Sequence, residues 1–513
     1  MGRFGHYRLF TIDHQQPMKY LLFVIILLGI LFSCDKEDSF TTNSGDKLAF
    51  SMDTLRFDTV FTELGSATRF FRVYNRADQS IRISKISLKG NNQSKFNLNV
   101  DGIPGDVHEE VVIYPNDSIY VFAEVTINPD DPLSISPYFV YDEVVFETNG
   151  NTQSVTLEAW GQNANYFPSR FHKDSVAVYT CNGEVVWDDP KPYVLYGVVA
   201  FLDCKLTIPA GARIHVHGGL SRGTDPVDMS TFIYSSGRLL IGENASLNVQ
   251  GTIENPVIFQ GDRLEEDFQD LDGQWTGLVF VRGSKNNVME NAIVKNARFG
   301  IYVDSAADLS LKNVQVFNTS GPGVFAYHAK VDAENCLFYN NGSNSVQLVF
   351  GGDYRFDYCT LANYGTDAAA LSMTNGTCYD ADCLVSAAYR LNARFRNSII
   401  YGSLADEIFL FDFTGSQGTN RTAFNYNFED CIIRARDIND PDQGYPDFYN
   451  YCTCLNASPN EAIFANINED DYHLDTLSIA EEKAMPLSNI LFDLEGNARD
   501  ALKPDLGCYE YQY

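Results

Sequence analysis

The sequence predicts an all-β protein in which an N-terminal β-sandwich is followed by a long β-solenoid. The first observation behind this prediction is a series of short alternating strands from Leu48 to Gly161, separated by turn sequences such as Asn149-Gly150. The second is a repeated short apolar segment, which recurs at nearly constant spacing at Asn291, Asn313, Asn335 and Tyr358, the last step being slightly longer than the others. One such unit cannot bury its apolar side alone, so neighbouring units must stack to form a core.

Length, composition and charge narrow the classes of function. The chain has 513 residues, of which 45% are hydrophobic and 13% aromatic, enough for several domains with a real core. Its formal net charge is -30. A nucleic-acid-binding protein needs a basic face, and docking on anionic lipid headgroups needs the same. We therefore expect no nucleic-acid partner and no direct binding of the protein body to a membrane surface.

Residues 1–33 predict an export signal. An uninterrupted apolar run from Tyr20 to Phe32 follows Lys19. This length suits the core of a signal peptide and is short for a membrane span. Met18 is a more natural start than Met1, which would make the residues before Met18 an upstream extension.

The export signal ends in Leu31-Phe32-Ser33-Cys34, which resembles the bacterial lipobox. The resemblance implies cleavage before Cys34 and attachment of diacylglycerol to its thiol. The alternative is an ordinary signal peptide with a chance cysteine. The following Asp35-Lys36-Glu37-Asp38 resembles the surface-export signal of some Gram-negative lineages, which implies an outer-membrane lipoprotein displayed on the cell surface. Residues 34–47 are polar and are expected to form a tether.

Residues 48–162 are predicted to form the β-sandwich. Ser80 to Leu88 alternates with a period of two, and Pro115-Asn116-Asp117 separates two further strands. The segment resembles the immunoglobulin-like domain of the abnormal-spindle/hydin type, with counterparts around Asn75, Pro115 and Gly161. The resemblance implies a spacer or docking module.

Residues 163–192 are expected to form a linker and N-terminal cap, and residues 193–513 the solenoid. Segments such as Leu206 to Gly211, Gly242 to Val249 and Pro256 to Phe259 resemble the first coils of bacterial right-handed parallel β-helix proteins. The resemblance implies a right-handed parallel β-helix for this region.

The end of the chain carries two short motifs. Asp493-Leu-Glu-Gly-Asn-Ala-Arg499 precedes Asp505-Leu-Gly-Cys-Tyr-Glu510. Together they resemble the terminal motif of the choice-of-anchor Q family of surface β-helix proteins, with Leu506 and Cys508 in place of the usual isoleucine and alanine. An open coil end would expose strand edges and core, so we expect this motif to cap the last coil.

Strand alternation assigns the faces of the repeated strand. The residues expected to point inward are all small or apolar: Ala292, Val294, Val314, Val316, Cys336, Phe338, Cys359, Leu361, Cys431 and Ile433. Charged and polar residues such as Lys295, Gln315 and Arg434 then point outward. The asparagines that end the repeats, Asn296, Asn318, Asn340 and Asn363, are expected to form an internal amide ladder.

Eleven cysteines leave ten after the lipidated one, and an even number in an exported protein allows disulfides. Proximity in sequence suggests the pairs Cys181 with Cys204 and Cys378 with Cys383. No cysteine or histidine spacing fits a metal site, so we expect no metal. The acidic insert 261–273 could bind calcium, but it lacks the ligand spacing of a calcium loop and is expected to be a solvated insert; no cofactor is expected.

One cluster of charges offers candidates for catalysis. A polysaccharide lyase of this architecture needs a base and a group that neutralises the uronate. The candidate residues lie close together in the repeat: Lys295, Arg298, Asp304, His328, Lys330 and Asp332. The alternative is that they are solvated charges at the rim of the coils.

Outward aromatic residues offer candidates for binding. Phe317 and Tyr339 take the same outward position in consecutive coils, and Tyr302 and Phe325 do so in the second strand. Rings stacked about 4.8 Å apart give a flat strip suited to sugar rings or to a partner protein. The alternative is that an insert, residues 374–394 or 403–427, covers them.

These observations predict a surface-anchored lipoprotein that binds a glycan or another surface macromolecule without catalysis. The rival interpretation is a polysaccharide-degrading enzyme, either a lyase or a glycoside hydrolase, and a third is a structural component of the envelope. A fold alone does not supply a function. The expected partners are therefore the membrane, through the lipid on Cys34, and a glycan or surface protein.

Overall fold

The computed structural model describes residues 39–61, 68–90, 94–125, 140–162, 164–168, 176–224, 231–235, 237–264, 268–379, 386–438, 444–445, 447–459 and 461–512. Cys34 and Cys383 lie outside these residues. The chain divides into two compact units, and the boundary between them falls within the strand Asn151–Gln162. Within the described ranges, no helix is long and apolar enough to cross a membrane.

The N-terminal unit is built from ten strands: β1 (Leu48–Phe50), β2 (Thr54–Phe61), β3 (Arg69–Asn75), β4 (Ile81–Leu88), β5 (Phe96–Val100), β6 (Ile103–Pro104), β7 (Val107–Ile113), β8 (Ser118–Val125), β9 (Val140–Thr148) and β10 (Asn151–Gln162). They form two sheets, in the orders β1-β3-β8-β5-β6 and β2-β10-β9-β4-β7. The Phe146 ring lies 5.1 Å from Phe50 and 6.1 Å from Phe71, so apolar side chains of the two sheets pack together. The immunoglobulin-like assignment of this unit stays a prediction.

The described part of the second unit contains these strands: β11 (Asn165–Phe167), β12 (Val176–Tyr179), β13 (Gly183–Val186), β14 (Tyr193–Tyr196), β15 (Val198–Phe201), β16 (Cys204–Pro209), β17 (Arg213–His217), β18 (Leu220–Thr224), β19 (Thr231–Ser235), β20 (Arg238–Ile241), β21 (Ser246–Gln250), β22 (Val257–Gly261), β23 (Gly277–Phe280), β24 (Asn287–Lys295), β25 (Ile301–Val303), β26 (Asp308–Thr319), β27 (Val324–Glu334), β28 (Leu337–Asn341), β29 (Val346–Asp357), β30 (Thr360–Asn363), β31 (Leu371–Thr374), β32 (Gly376–Cys378), β33 (Ser386–Ala388), β34 (Leu391–Arg396), β35 (Ile399–Gly402), β36 (Ile408–Phe411), β37 (Phe424–Ile433), β38 (Cys452–Asn456), β39 (Phe464–Asn466) and β40 (Asp471–Leu474). Short 3-10 helices span Phe448–Tyr451 and Ile467–Glu469 in the same described part.

Most of these strands pair in parallel with the equivalent strand of the next coil, which makes a parallel β-helix with three faces. Face A contains β12, β15, β20, β23, β25, the first parts of β27 and β29, β31 and β36. Face B contains β13, β16, β21, the first parts of β24 and β26, the second parts of β27 and β29, β34 and the first part of β37. Face C contains β11, β14, β17, β22, the second parts of β24 and β26, β28, β30, β35 and the end of β37. The strand β38 continues faces B and C.

The predicted inward register is confirmed. All ten residues assigned to the interior of face C, from Ala292 to Ile433, are at most 1% exposed. Cys336, Cys359 and Cys431 are free thiols within this core. The fold class is therefore all-β with a β-helix, as the repeat predicts.

The β-helix begins one coil earlier than the sequence suggests. The strands β11, β12 and β13 already pair in parallel with β14, β15 and β16. The prediction that residues 163–192 form a linker and cap is therefore wrong, because this segment supplies the first coil. Its strands are short and it contains several polar residues, so it lacks the continuous apolar run that marks the later coils. Cys181 and Cys204 form a disulfide that joins the first two coils.

The predicted asparagine ladder is wrong in position. Asn296 and Asn340 bond other segments, namely the carbonyls of Gln269 and Leu271 and the carboxylate of Asp470. An amide ladder bond forms instead at the first residue of the repeat, where Asn313 Nδ2 donates to Asn291 Oδ1 at 3.0 Å. Residues at this corner have φ near +50°, which asparagine tolerates better than most side chains.

The C-terminal motif does not cap the last coil. Residues 457–512, here called the C-terminal strap, turn back and pack on face C. The motif's Arg499 is buried, donates to Glu510 and to Asn335, and lies 3.9 Å from the centre of the Tyr358 ring. The expectation of an end cap is wrong because this cationic side chain finds its partners at the corner of the middle coils.

Candidate functional site

Face A carries a stack of aromatic rings on its outer side. Tyr302 and Phe325 occupy paired positions of β25 and β27, and their rings lie 5.3 Å apart and 8° from parallel. The Phe299 ring meets both edge-on, at 6.5 Å from Tyr302 and 6.1 Å from Phe325. All three side chains are partly exposed. The alternation of the strand explains the stack, because every second residue faces out and equivalent residues line up between coils.

A β-bulge extends the aromatic surface. Tyr327 pairs with Val349, whereas Ala329 pairs with Gly352, so β29 holds an additional residue between these two pairs. This additional residue lies at Phe350 and Gly351, both of which have positive φ. A positive φ is unusual for a bulky side chain, and a bulge of this kind re-aims a side chain. Here it brings the Phe350 ring to 4.3 Å from the Tyr327 ring.

Two further tyrosine rings continue this surface. Tyr389 lies 6.0 Å from Phe350 and 5.1 Å from His328, whose Nδ1 is 2.8 Å from the Phe350 carbonyl oxygen. Tyr379 is 62% exposed and bonds to Tyr389 through their hydroxyls. We define the aromatic surface as Phe299, Tyr302, Phe325, Tyr327, Phe350, Tyr379 and Tyr389.

Two tyrosine hydroxyls on this surface, those of Tyr302 and Tyr379, have a raised pKa. Burial, followed by the nearby Asp304 carboxylate, raises the pKa of Tyr302 above its ordinary value. The hydrogen bond with Tyr389 raises the pKa of Tyr379. The surface thus combines ring faces, which bind apolar area, with neutral hydroxyls that fix orientation by hydrogen bonds.

The other predicted stack has a different environment. Phe317 and Tyr339 lie 4.6 Å apart and 17° from parallel, so their predicted outward alignment holds. Tyr339 is nevertheless only 8% exposed, and its ring lies 4.9 Å from Tyr472 of the C-terminal strap. Burial raises the pKa of Tyr339 well above its ordinary value. The prediction that these two rings offer an open platform is therefore wrong, and the covering element is the strap rather than residues 374–394 or 403–427.

The predicted catalytic cluster does not converge. Lys295 lies on face C and pairs with Asp270 at 3.4 Å, whereas Lys330 lies on face B and pairs with Asp332 at 3.3 Å. Coils place residues only a few positions apart in sequence on different faces, which separates the set. His328 stands at the corner of faces A and B, against the aromatic surface. The Arg298 guanidinium lies 6.0 Å from Phe299, at the rim of the same surface.

Face B carries a charged ladder that the sequence reasoning missed. Arg396 makes a two-pronged contact with Asp357, and Arg394 makes one with Glu429 at 3.1 and 2.6 Å. Asn425 donates to Asn392 at 2.7 Å in the same ladder. The alternation of polar residues in β34 and β37, NARFR and NYNFE, is the signal that could have revealed it. These charged groups satisfy one another, as expected of a structural ladder.

The described residues contain no cluster of side chains suited to hold a metal ion. No set of three or more histidine, cysteine or acidic side chains in the described ranges is arranged to hold a metal ion. In the acidic insert, Asp262 contacts His217 Nδ1 at 2.6 Å and Asp270 contacts Lys295, while residues 265–267 lie outside the described ranges. Cys452 and Cys454 form a disulfide with each other. Cys378 is also disulfide-bonded, and the residue predicted as its partner, Cys383, is not described.

Comparisons with known proteins identify the central part of this region. The family model described as a right-handed β-helix region matches residues 234–363, which supports the parallel β-helix described above. No curated protein matches the chain.

Solved structures give only remote similarity. The E. coli chaperone DraB is 9% identical over 23% of this chain and 55% of its own, with a TM-score of 0.16. A family 123 glycoside hydrolase from Clostridium perfringens is 7% identical over 26% of each chain, with a TM-score of 0.18. This chain thus spans about half the length of the first of these proteins and about a quarter of the length of the second. The catalytic domain of a GH87 alpha-1,3-glucanase in complex with nigerose is 10% identical over 76% of this chain and 92% of its own, with a TM-score of 0.19.

Proposed function

We propose that this protein is a lipid-anchored protein of the outer membrane, displayed on the surface of a Gram-negative bacterium, which binds a glycan through the aromatic surface of face A without cleaving it. The observation that carries the binding proposal is the parallel stack of Tyr302 and Phe325, extended by Phe350 on its bulge. Partly exposed rings in register along a solenoid present apolar area to water, and such a patch is typical of a surface that a ligand covers.

A glycan fits this surface better than a charged partner does. The apolar faces of sugar rings stack on aromatic rings, and their hydroxyls bond to neutral donors such as those of Tyr302 and Tyr379. None of the seven residues that define this surface carries a formal charge, so the surface offers no ion pair to a charged macromolecule, whereas an uncharged glycan needs none. A long solenoid face also offers successive equivalent positions to a linear polymer.

Anchoring rests on the sequence around Cys34. The test is incorporation of labelled palmitate, which should disappear in Cys34→Ala. Lipid that persists on the Cys34→Ala protein would overturn the assignment. Protease treatment of intact cells tests display, because complete protection would remove the cell-surface part of the proposal.

The binding proposal is tested on a soluble form that begins at Thr41, applied to a glycan array. The double variant Tyr302→Ala and Phe325→Ala should weaken binding to the recognised glycan by roughly 1–3 kcal/mol, with little change in melting temperature. Tyr114→Ala is the matched control, because Tyr114 is 54% exposed in the N-terminal unit. Full binding by the double variant would place the site elsewhere.

The second candidate function is a polysaccharide-degrading enzyme. The observation that favours it is the ladder of arginines and carboxylates on face B. A lyase assay that follows the ultraviolet absorbance of an unsaturated product, together with a reducing-sugar assay for hydrolysis, separates the two candidates. If the protein turns over a polysaccharide and Arg394→Gln abolishes this turnover, the result would favour the enzyme and contradict binding without cleavage.

A further inference from the structure

A cavity of about 530 Å³ lies between face C and the C-terminal strap. Tyr364, Tyr401 and Arg434 line it from the β-helix, and Glu461 and Phe464 line it from the strap. Its size is typical of sites for small molecules. It belongs to a different face of the β-helix from the aromatic surface.

The walls of this cavity are fixed by direct contacts. The Tyr401 hydroxyl donates to the Ser458 carbonyl oxygen at 2.8 Å, and its ring meets Phe464 edge-on at 6.4 Å. The Tyr364 ring meets Tyr401 edge-on, also at 6.4 Å. Tyr364 is half-buried and Tyr401 is only 4% exposed. The cavity is therefore preformed, with two tyrosine rings from consecutive coils on one side.

Arg434 is the unusual group in this cavity. Its guanidinium lies 5.7 Å from the centre of the Tyr401 ring and donates to the Gly402 carbonyl oxygen. No carboxylate of the described residues forms an ion pair with it, and the nearby Glu407 carboxyl is bound instead by the backbone N–H groups of Leu404 and Ala370. Arg394 and Arg396 on face B, in contrast, are each paired with a carboxylate. In a chain with a net charge of -30, a partly buried guanidinium without an ion-paired carboxylate among the described residues indicates a place for an anion.

We propose that this cavity binds a sugar that carries a carboxylate, such as a uronic acid. The guanidinium of Arg434 pairs with the carboxylate in a planar, two-pronged geometry, and the exposed part of the Tyr364 ring contacts the sugar ring. The tyrosine lining distinguishes such a ligand from a bare anion, which would gain nothing from ring contact. This site is independent of the proposed aromatic surface.

Neighbouring cavities indicate that the sugar is part of a chain. A cavity of about 570 Å³ shares Tyr364 with the first, and another of about 350 Å³ shares Arg434 and Pro459. The three therefore follow one another along the edge of face C. An oligosaccharide of the acidic sugar should bind more tightly than the monosaccharide, because it fills more than one of them.

Glu461 allows a test of whether the charge of the cavity controls binding. Its carboxylate lines the same cavity and accepts from the Ser458 hydroxyl at 3.0 Å. A negative charge there opposes an anionic ligand. Removal of the Glu461 charge should therefore strengthen binding of the acidic sugar, while removal of the Arg434 charge should weaken it.

The experiment is isothermal titration of the soluble form from Thr41 with glucuronate, glucose and inorganic phosphate. We expect glucuronate to bind more tightly than the other two, Arg434→Gln to weaken it at least tenfold, and Glu461→Gln to tighten it several-fold. Arg82→Gln is the control and should bind as the wild type does, since Arg82 lies in the N-terminal unit, where it pairs with Glu110.

Three outcomes would overturn the proposal: no binding of glucuronate, equal affinity for phosphate, or unchanged affinity in Arg434→Gln. If Arg434→Gln does not fold, Glu461→Gln decides, and unchanged affinity in that variant overturns the proposal. Variants of the aromatic surface leave this cavity intact. A failure here therefore does not bear on the proposed function, and the reverse is also true.

Discussion

Two pairs of stacked aromatic rings arise from the same repeat and end in different environments. Tyr302 and Phe325 on face A remain partly exposed, whereas Phe317 and Tyr339 on face C lie beneath the C-terminal strap. Both pairs occupy outward positions one coil apart. Local alternation therefore fixes the direction of a side chain, and a segment more than a hundred residues away decides whether that side chain meets solvent.

The strap covers outward apolar residues of face C. The outward residues of this face in three successive coils, Leu337, Ala362 and Ile399, join one buried cluster with strap residues such as Ile463 and Leu506. On face A the equivalent outward positions after Phe325 are Gln347, Ser372 and Phe409, and Phe409 remains 51% exposed. The difference separates a face that completes the fold from a face available to a ligand.

The largest expected effect concerns the interior that both faces share. Phe338→Asp places a carboxylate in the buried core and should prevent folding, at a cost of several kcal/mol. Phe325→Asp should leave the protein folded, since the Phe325 side chain is outward and partly exposed. Circular dichroism and yield of the two variants measure the contrast. Folded protein in both cases would show that the inward register of face C is wrong.

The next effect concerns how the strap is held on face C. Arg499→Ala removes a buried cation, which leaves the Glu510 carboxylate without its ion pair and Asn335 Oδ1 without its donor, and should cost about 3–5 kcal/mol. Lys503→Ala is the control, because Lys503 pairs with Glu482 on the surface and its side chain is 66% exposed. Denaturant unfolding gives the stability, and limited proteolysis should release the strap first. Equal stability of the two variants would contradict a strap held by Arg499.

The two stacks should differ in how much each ring contributes to stability. Tyr339→Ala should destabilise the protein by about 3 kcal/mol, because the ring is buried against Tyr472. Phe325→Ala should cost less than about 1 kcal/mol, as expected of a partly exposed ring. Melting temperatures of the single variants measure both. If Phe325→Ala were the more destabilising of the two, the ring on face A would be the more buried one, which would contradict the assigned environments of the two stacks.

A smaller effect depends on pH and arises at the corner between faces C and A. Burial raises the pKa of Glu407 to about 7. Hydrogen bonds from the backbone N–H groups of Leu404 and Ala370 oppose this rise, because they favour the charged carboxylate. Between its ordinary pKa and this raised value, the carboxyl ionises in the unfolded chain and stays protonated in the folded one. Stability should therefore fall as pH rises through this window, by roughly 2–3 kcal/mol.

The control for this effect is Glu407→Gln, whose amide does not titrate. We expect the melting temperature of the wild type to fall between about pH 5 and pH 8 more steeply than that of Glu407→Gln. Only the difference in slope matters, since the amide also changes the hydrogen bonds at the corner. Parallel profiles would contradict a raised pKa of Glu407.

The sequence predicted the fold well where the physics is local. The nearly constant step of the repeat and the period of two within strands fix the coil and its interior, as the burial of Val316 and Phe338 confirms. They could not fix the first coil, whose short strands resemble a linker. Nor could they place the strap, because its contacts with Asn335 and Tyr358 span more than a hundred residues.

The candidate site was predictable in part. Tyr302 and Phe325 follow from register, and the longer last step of the repeat was visible in the sequence. The structure locates the extra residue at the bulge of Phe350, which pattern reasoning could not do, because an insertion anywhere in the coil lengthens the step equally. Tyr379 and Tyr389 join the surface from just after the two strands of the β32–β33 hairpin, so no periodicity relates them to the other rings.

Hydroxyl-radical footprinting of the soluble form, with and without the glycan recognised on the array, tests the central claim most directly. We predict that Tyr302, Phe325 and Tyr389 are oxidised in the free protein and protected in the complex. Tyr339 should react little in either state, because the strap covers it. Unreactive rings on face A in the free protein, or rings there that stay equally reactive when the glycan is bound, would contradict the account.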